Sequence, residues 1–148
     1  MESIASNEPI TINLLSLNCH LPVGSQELDQ VYLKYNGRRI YPVKGVKYER
    51  FAKGQGTKIK DISLEFSSKN EVDTVVIELW YRKNLIQNAL AGRFFLMLNI
   101  SEIGFAATQL IRSSEQEESH YLLHWEMRHA KSSQSKIEEE VKSGKKSE

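Results

Sequence analysis

Apolar residues recur at every second position in one segment after another, and a chain patterned that way places them along one face of extended strands. Ile10, Ile12 and Leu14 begin the pattern. Leu15, Leu17 and Cys19 continue it after a slip of one residue, which predicts a strand with a bulge near Leu14 and Leu15. Val31, Leu33 and Tyr35 make a second row. Asn36-Gly37 behind them favours a tight hairpin in which both central residues take positive φ, with residues 39–43 as the returning strand. Short strands are expected over 46–51 and along Ile59, Ile62, Leu64 and Phe66. Val75, Ile77, Leu79 and Tyr81 share a face, as do Phe94, Leu96, Leu98 and Ile100, and finally Tyr121, Leu123, Trp125 and Met127. Residues 82–91 read as a longer loop. The period then changes: Ile103, Ala106, Ala107, Leu110 and Ile111 fall at helical spacing and predict one short helix within 101–112, weakened by Gly104. Seven or so strands with little helix point to an all-β, antiparallel sandwich, and a barrel fits the periodicity nearly as well.

The 148 residues suit one domain. Residues 1–8 are polar and read as a flexible N-terminus, and the alternating pattern occupies 9–129. After Ala130 the apolar residues nearly vanish, with only Ile137 and Val141 among Ser, Lys and Glu. The charged tail 130–148 is therefore expected to be disordered, with at most a frayed helix over 137–142. Cys19 is the only cysteine, so neither an internal disulfide nor a thiolate metal cluster can form. The N-terminus lacks a secretory build, and no apolar run approaches the roughly 20 residues that span a bilayer. The expectation is a cytoplasmic protein with no transmembrane segment, either peripheral to a membrane or associated with the cytoskeleton.

Charge is distributed unevenly. Between Val31 and Lys60 there are nine cations and one acid, Glu49, a local balance of +8; the whole chain carries +1, which leaves −7 elsewhere. Such asymmetry bears on partners more than the net charge does.

Several motifs resemble the C2 family. Asp29-Gln30-Val31-Tyr32-Leu33-Lys34 follows the first strand and loop, where C2 domains open a strand with Asp-Pro-Tyr-Val-Lys-Val. Thr57-Lys58 is similar to a Thr-Lys motif after the next hairpin. Leu79-Trp80, the stretch 81–89 and Leu90-Ala91-Gly92 match the layout of a strand, an acidic loop and Phe-Ile-Gly. The likeness covers about 9–129 and lacks the Asn-Pro-x-Trp that the family carries before its fourth strand. It implies an eight-stranded antiparallel β-sandwich, C2-like, with the short helix in a late connection. Calcium takes six to eight oxygens, largely from carboxylates. The stretch 81–89 holds no acid and two cations, and Asp29 alone cannot build a site, so the resemblance implies a calcium-independent member.

Two functional readings follow. The resemblance implies a protein-interaction or scaffold module, as in the cytoskeletal and ciliary assemblies where relatives without calcium ligands serve. The alternative is a peripheral module binding anionic phospholipids through a basic strand cluster. Either reading draws its contacts from Lys34, Arg38, Arg39, Lys47, Lys58 and Lys60. Arg82, Lys83, Leu85 and Ile86 are candidates for a loop contact, although Leu85 and Ile86 are expected to fold back onto the core. The bland counterpart is that these cations merely solubilise strand edges.

Nucleic acid is disfavoured: Tyr32, Tyr35, Tyr41, Tyr48 and Phe51 interleave with the cations, but no nucleic-acid-binding motif accompanies them. Catalysis finds no constellation. Cys19 and His20 point to opposite faces of a strand, and His120 with His124 supplies two metal ligands where zinc needs more. No cofactor and no metal are expected.

Overall fold

The computed structural model describes residues 8–23, 27–114 and 118–130. Among them are eleven strands and no helix. In chain order these are β1 (Ile10–Leu21), β2 (Leu28–Tyr35), β3 (Arg38–Tyr41), β4 (Glu49–Ala52), β5 (Gly56–Lys58) and β6 (Ser63–Phe66). There follow β7 (Thr74–Asn84), β8 (Gln87–Met97), β9 (Gly104–Gln109), β10 (Ile111–Arg112) and β11 (His120–His129). One sheet runs β5-β1-β11-β9, with β6 also on β1; the other runs β10-β8-β7-β2-β3, with β4 also on β2. Every pairing is antiparallel, and the two sheets form a sandwich. The eight strands expected become eleven because the outer edges are divided into short pieces.

The alternating rows make the core. Ile10, Ile12, Leu14, Leu17 and Cys19 of β1 are buried with Tyr121, Leu123, Trp125 and Met127 of β11. From the other sheet come Val31, Leu33, Val75, Ile77, Leu79, Tyr81, Phe94 and Leu96. The expected slip in β1 is a register shift between Leu14 and Ser16, which lets both halves of the strand bury the same face. At the β2–β3 turn Asn36 has φ 51° and Gly37 φ 76°, as the hairpin reading requires.

Two expectations are corrected. The helix proposed within 101–112 is strand. β9 pairs with β11 over six residues from Gly104–Met127 to Gln109–Leu122, and its side chains alternate rather than turning every 3.6 residues. Phe105 is 80% exposed and Ile111 also faces out, so the apolar spacing that mimicked a helix does not mark one buried face. The ladder to β11, joined by the Trp125 Nε1–H bond to Thr108 Oγ1 at 2.9 Å, outweighs a weak local preference. The loop proposed over 82–91 is the tip of a hairpin: Arg82 pairs with Asn88 and Asn84 with Gln87, so only Leu85 and Ile86 turn. Asn84 Oδ1 accepts from the Ile86 N–H at 3.0 Å and holds that turn. Ile100, expected inside, lies beyond β8 and is exposed. The flexible N-terminus expected over 1–8 and the disordered tail expected over 130–148, with its frayed helix, lie outside the described residues except for Glu8 and Ala130.

Leu123 is fully buried, so Leu123→Ala is expected to cost about 2–5 kcal/mol. Phe105→Ser, on an open strand face, is expected to change stability by no more than about 0.5 kcal/mol. Urea midpoints measure both, and a large loss for Phe105→Ser would contradict the exposed placement.

Candidate binding groove

The two sheets present divided edges on the same side of β1 and β2. The 42–48 connection leaves one edge and the 59–62 connection leaves the other, and a groove of about 980 Å³ lies between them. Its deeper surface is apolar: Tyr41 is buried, and Ile40, Pro42 and Ile62 are half-buried. Its rim is basic, with Arg39, Lys44, Lys47, Lys58 and Lys60 against two acids, Glu49 and Asp61. Among the described residues no acid lies within ion-pair distance of those five cations. Glu49 instead accepts a hydrogen bond from the Tyr41 hydroxyl at 3.0 Å. Burial together with that carboxylate pushes the Tyr41 phenol upward, so it stays neutral.

Arg39 is held from two directions. Its Nη1 donates to the Lys47 carbonyl, tying β3 to the connection that walls the groove. Its guanidinium lies 3.7 Å over the Tyr32 ring and 5.5 Å from the Tyr48 ring. These rings belong to an aromatic row on the outer face of the six-stranded sheet. Tyr32 stacks on Trp80 with ring centres 6.3 Å apart and planes 12° apart, and it meets Tyr48 at 6.0 Å. Lys34 covers Trp80 at 4.7 Å, and Asn88 bridges the Tyr48 and Tyr32 hydroxyls. The row exists because Tyr32, Lys34, Trp80 and Arg82 occupy alternate positions on two paired strands.

The structure therefore gathers Arg39, Lys47, Lys58 and Lys60 around one groove and adds Lys44, which the sequence reading did not select. Lys34 lies on the adjoining outer face. Arg38 pairs with Tyr35, one position from the Lys34–Arg39 pair, and so faces the opposite way from Arg39. Arg82 approaches Tyr48 at 5.9 Å and touches the same aromatic row. Lys83 and Leu85 border a separate shallow depression with Leu28 and Gln30. Leu85 and Ile86 do not fold back onto the core; they are 85% and 96% exposed at the hairpin tip. The apolar floor was hidden from the sequence reading, since its two walls come from segments some 20 residues apart. The interleaving of tyrosines with cations was the available signal for the aromatic row.

Away from the groove, Asp29 is fully buried. Its Oδ2 accepts from the Tyr121 hydroxyl and from the Val23 N–H, while Oδ1 has no partner among the described residues. The Cys19 thiol neighbours this pair, and burial raises it, keeping it protonated. His20 is exposed on the opposite face of β1. The described residues hold no group of three or more His, Cys, Asp or Glu placed to bind a metal, and no helix long and apolar enough to cross a membrane.

No family model and no curated protein matches the chain. Among solved structures it is similar to a C2 domain of plant extended synaptotagmin 1, at 7% identity and a TM-score of 0.47, over 86% of this chain and 98% of that one.

Burial raises the Asp29 carboxyl above its ordinary 3.8, against the lowering effect of its two hydrogen bonds. The folded state thus holds this proton more tightly than the unfolded state. The stability it contributes is complete below 3.8 and is lost as pH rises through the folded value. The chain is expected to lose stability relative to Asp29→Asn across that window, read as the gap between their urea midpoints at acid and neutral pH. A gap that does not change with pH would mean that Asp29 titrates alike in both states.

Proposed function

We propose that this chain is a non-catalytic, calcium-independent binding domain, a protein-interaction module that takes an acidic, partly apolar segment of its partner in the groove. The observation that carries the reading is the pairing of an apolar floor with a basic rim in one concavity. Exposed ion pairs contribute only about 0.2–1 kcal/mol each, so the rim sets charge preference while the floor supplies apolar contact. Calcium independence is supported by Asp29, whose carboxylate is turned into the core, and by the acid-free sequence of the 82–91 hairpin. The C2 resemblance directs the search for a partner to cytoskeletal and ciliary scaffolds.

A fluorescent peptide mixing Glu with Ile and Val is expected to bind the chain and to weaken as salt rises. The triple change Lys47→Glu, Lys58→Glu, Lys60→Glu is expected to reduce that binding at least tenfold, about 1.4 kcal/mol. Equal binding by the folded triple variant would end the proposal for this groove.

The hairpin tip favours a second reading. Exposed Leu85 and Ile86 beside Arg82 and Lys83 fit an anionic membrane surface, with apolar side chains entering and cations meeting headgroups. Under that reading the chain co-sediments with anionic but not neutral vesicles in the presence of a chelator, and Leu85→Glu with Ile86→Glu abolishes it. Vesicle binding indifferent to that pair of changes would remove the tip from consideration.

A further inference from the structure

Charge thins out in one part of the chain. Between Arg93 and Arg112 the sequence holds a single charged residue, Glu102, although 26% of the chain is charged. That stretch contains β9, which ends its sheet beyond β11. Sheet ends are usually blunted with charge, proline or a bulge, because an open row of N–H and C=O groups recruits another strand. The other end strands follow this rule. β3 carries Arg38 and Arg39, β4 Glu49 and Arg50, β5 Lys58, β6 Glu65 and β10 Arg112. β9 has no charge and no proline, and its ladder to β11 runs over six residues without a register shift.

Hydrogen-bond alternation determines which of its groups are open. The Leu110 N–H donates to the Tyr121 carbonyl at 3.0 Å, so these two residues are a bonded pair of the ladder. Two residues back at each step, Thr108, Ala106 and Gly104 are the bonded partners of Leu123, Trp125 and Met127. Phe105, Ala107 and Gln109 therefore turn their N–H and C=O groups away from β11, where among the described residues no strand meets them. Their side chains are exposed as well.

We propose that β9 pairs with β9 of a second copy, antiparallel about a two-fold axis at Ala107. Phe105 of each copy then faces Gln109 of the other. Three open positions spaced by two read the same from either end, so all their N–H and C=O groups find partners. Neutrality favours a second copy: an isologous contact sets a surface against itself, and this edge has no like charges to oppose. The small Ala107 side chains meet at the axis without crowding. A single strand pair is small beside the roughly 1,200–2,000 Å² of stable interfaces, so the association is reversible. The groove lies at the far edges of both sheets, beside β3 and β5, so pairing through β9 leaves it open in each copy.

Sedimentation of the full chain over a concentration series, with hydrogen exchange at its two extremes, tests the pairing. The mass is expected to rise from one copy toward two, to be insensitive to salt, and to bring protection of the Phe105, Ala107 and Gln109 amides. Ala107→Lys and Ala107→Glu are each expected to weaken association about three- to tenfold by opposing like charges at the axis. Their equimolar mixture is expected to restore it, which separates a lost contact from a lost fold. A chain that stays monomeric throughout would overturn the proposal and leave the edge to a strand of another protein. Association that salt abolishes would assign the contact to the basic rim and overturn it too, as would a dimer unchanged by both substitutions. Peptide binding in the groove is read separately and stands or falls without this pairing.

Discussion

The structure turns on one extra residue in β1. Leu15 stands unpaired with β11 between Leu14 and Ser16, and without it the side chains of one half of the strand would face solvent. The bulge also divides that sheet's edge. β6 pairs with residues 10–13 and β5 with 16–18, so the chain between them has no ladder to join opposite the bulge. It loops out instead, pinned at its two ends by the Ile59 N–H bond to the Leu15 carbonyl at 2.8 Å and the Leu14 N–H bond to the Ile62 carbonyl at 3.0 Å. That loop carries Lys60 and Asp61 and is one wall of the groove. The irregularity that keeps the core in register thus also shapes the candidate site.

The facing wall is set by a different device. β3 and β4 both pair with β2, and the chain between them crosses a cis Tyr41–Pro42 bond and projects as the 42–48 connection. Arg39 ties this projection down through the Lys47 carbonyl while its guanidinium rests on Tyr32. Cation–π contacts at exposed sites contribute about 0.5–1 kcal/mol each, and the row of Lys34, Trp80, Tyr32, Arg39 and Tyr48 links several in series. This wall is therefore held from the outer face of the sheet, while Tyr41, Ile40 and Ile62 join the groove to the hydrophobic core.

Most of the sandwich is legible in the sequence because its strands bury one face, and burial leaves a period of two that no other element shares. Even the bulge shows, as a single break between Leu14 and Leu15. The failures occur where one face is not buried. β9 sits at a sheet edge with Phe105 outward, so its apolar residues obey no strand period and drift into helical spacing. The end of the β7–β8 hairpin extends past the core, and Arg82 to Asn88 alternate nothing. For the groove, the sequence supplied the charge and most of the cations, since Arg39, Lys47, Lys58 and Lys60 lie in one basic run. It could not show that two connections from different sheets converge, because that depends on which strands divide.

Shape separates the two kinds of partner that a basic surface attracts. A bilayer is broad and nearly flat and meets a protein at its outermost points, which here include the Leu85–Ile86 tip. The groove is concave, and its cations stand on opposite walls, Lys44 and Lys47 on one and Lys58 and Lys60 on the other. A narrow chain lying between the walls approaches both rows at once and reaches Ile40 and Ile62 beneath them, whereas a flat surface touches the rims and leaves the apolar floor wet. Apolar burial rewards the first arrangement and gives the second nothing. The floor, more than the number of cations, is what supports the proposed polypeptide segment over a membrane surface.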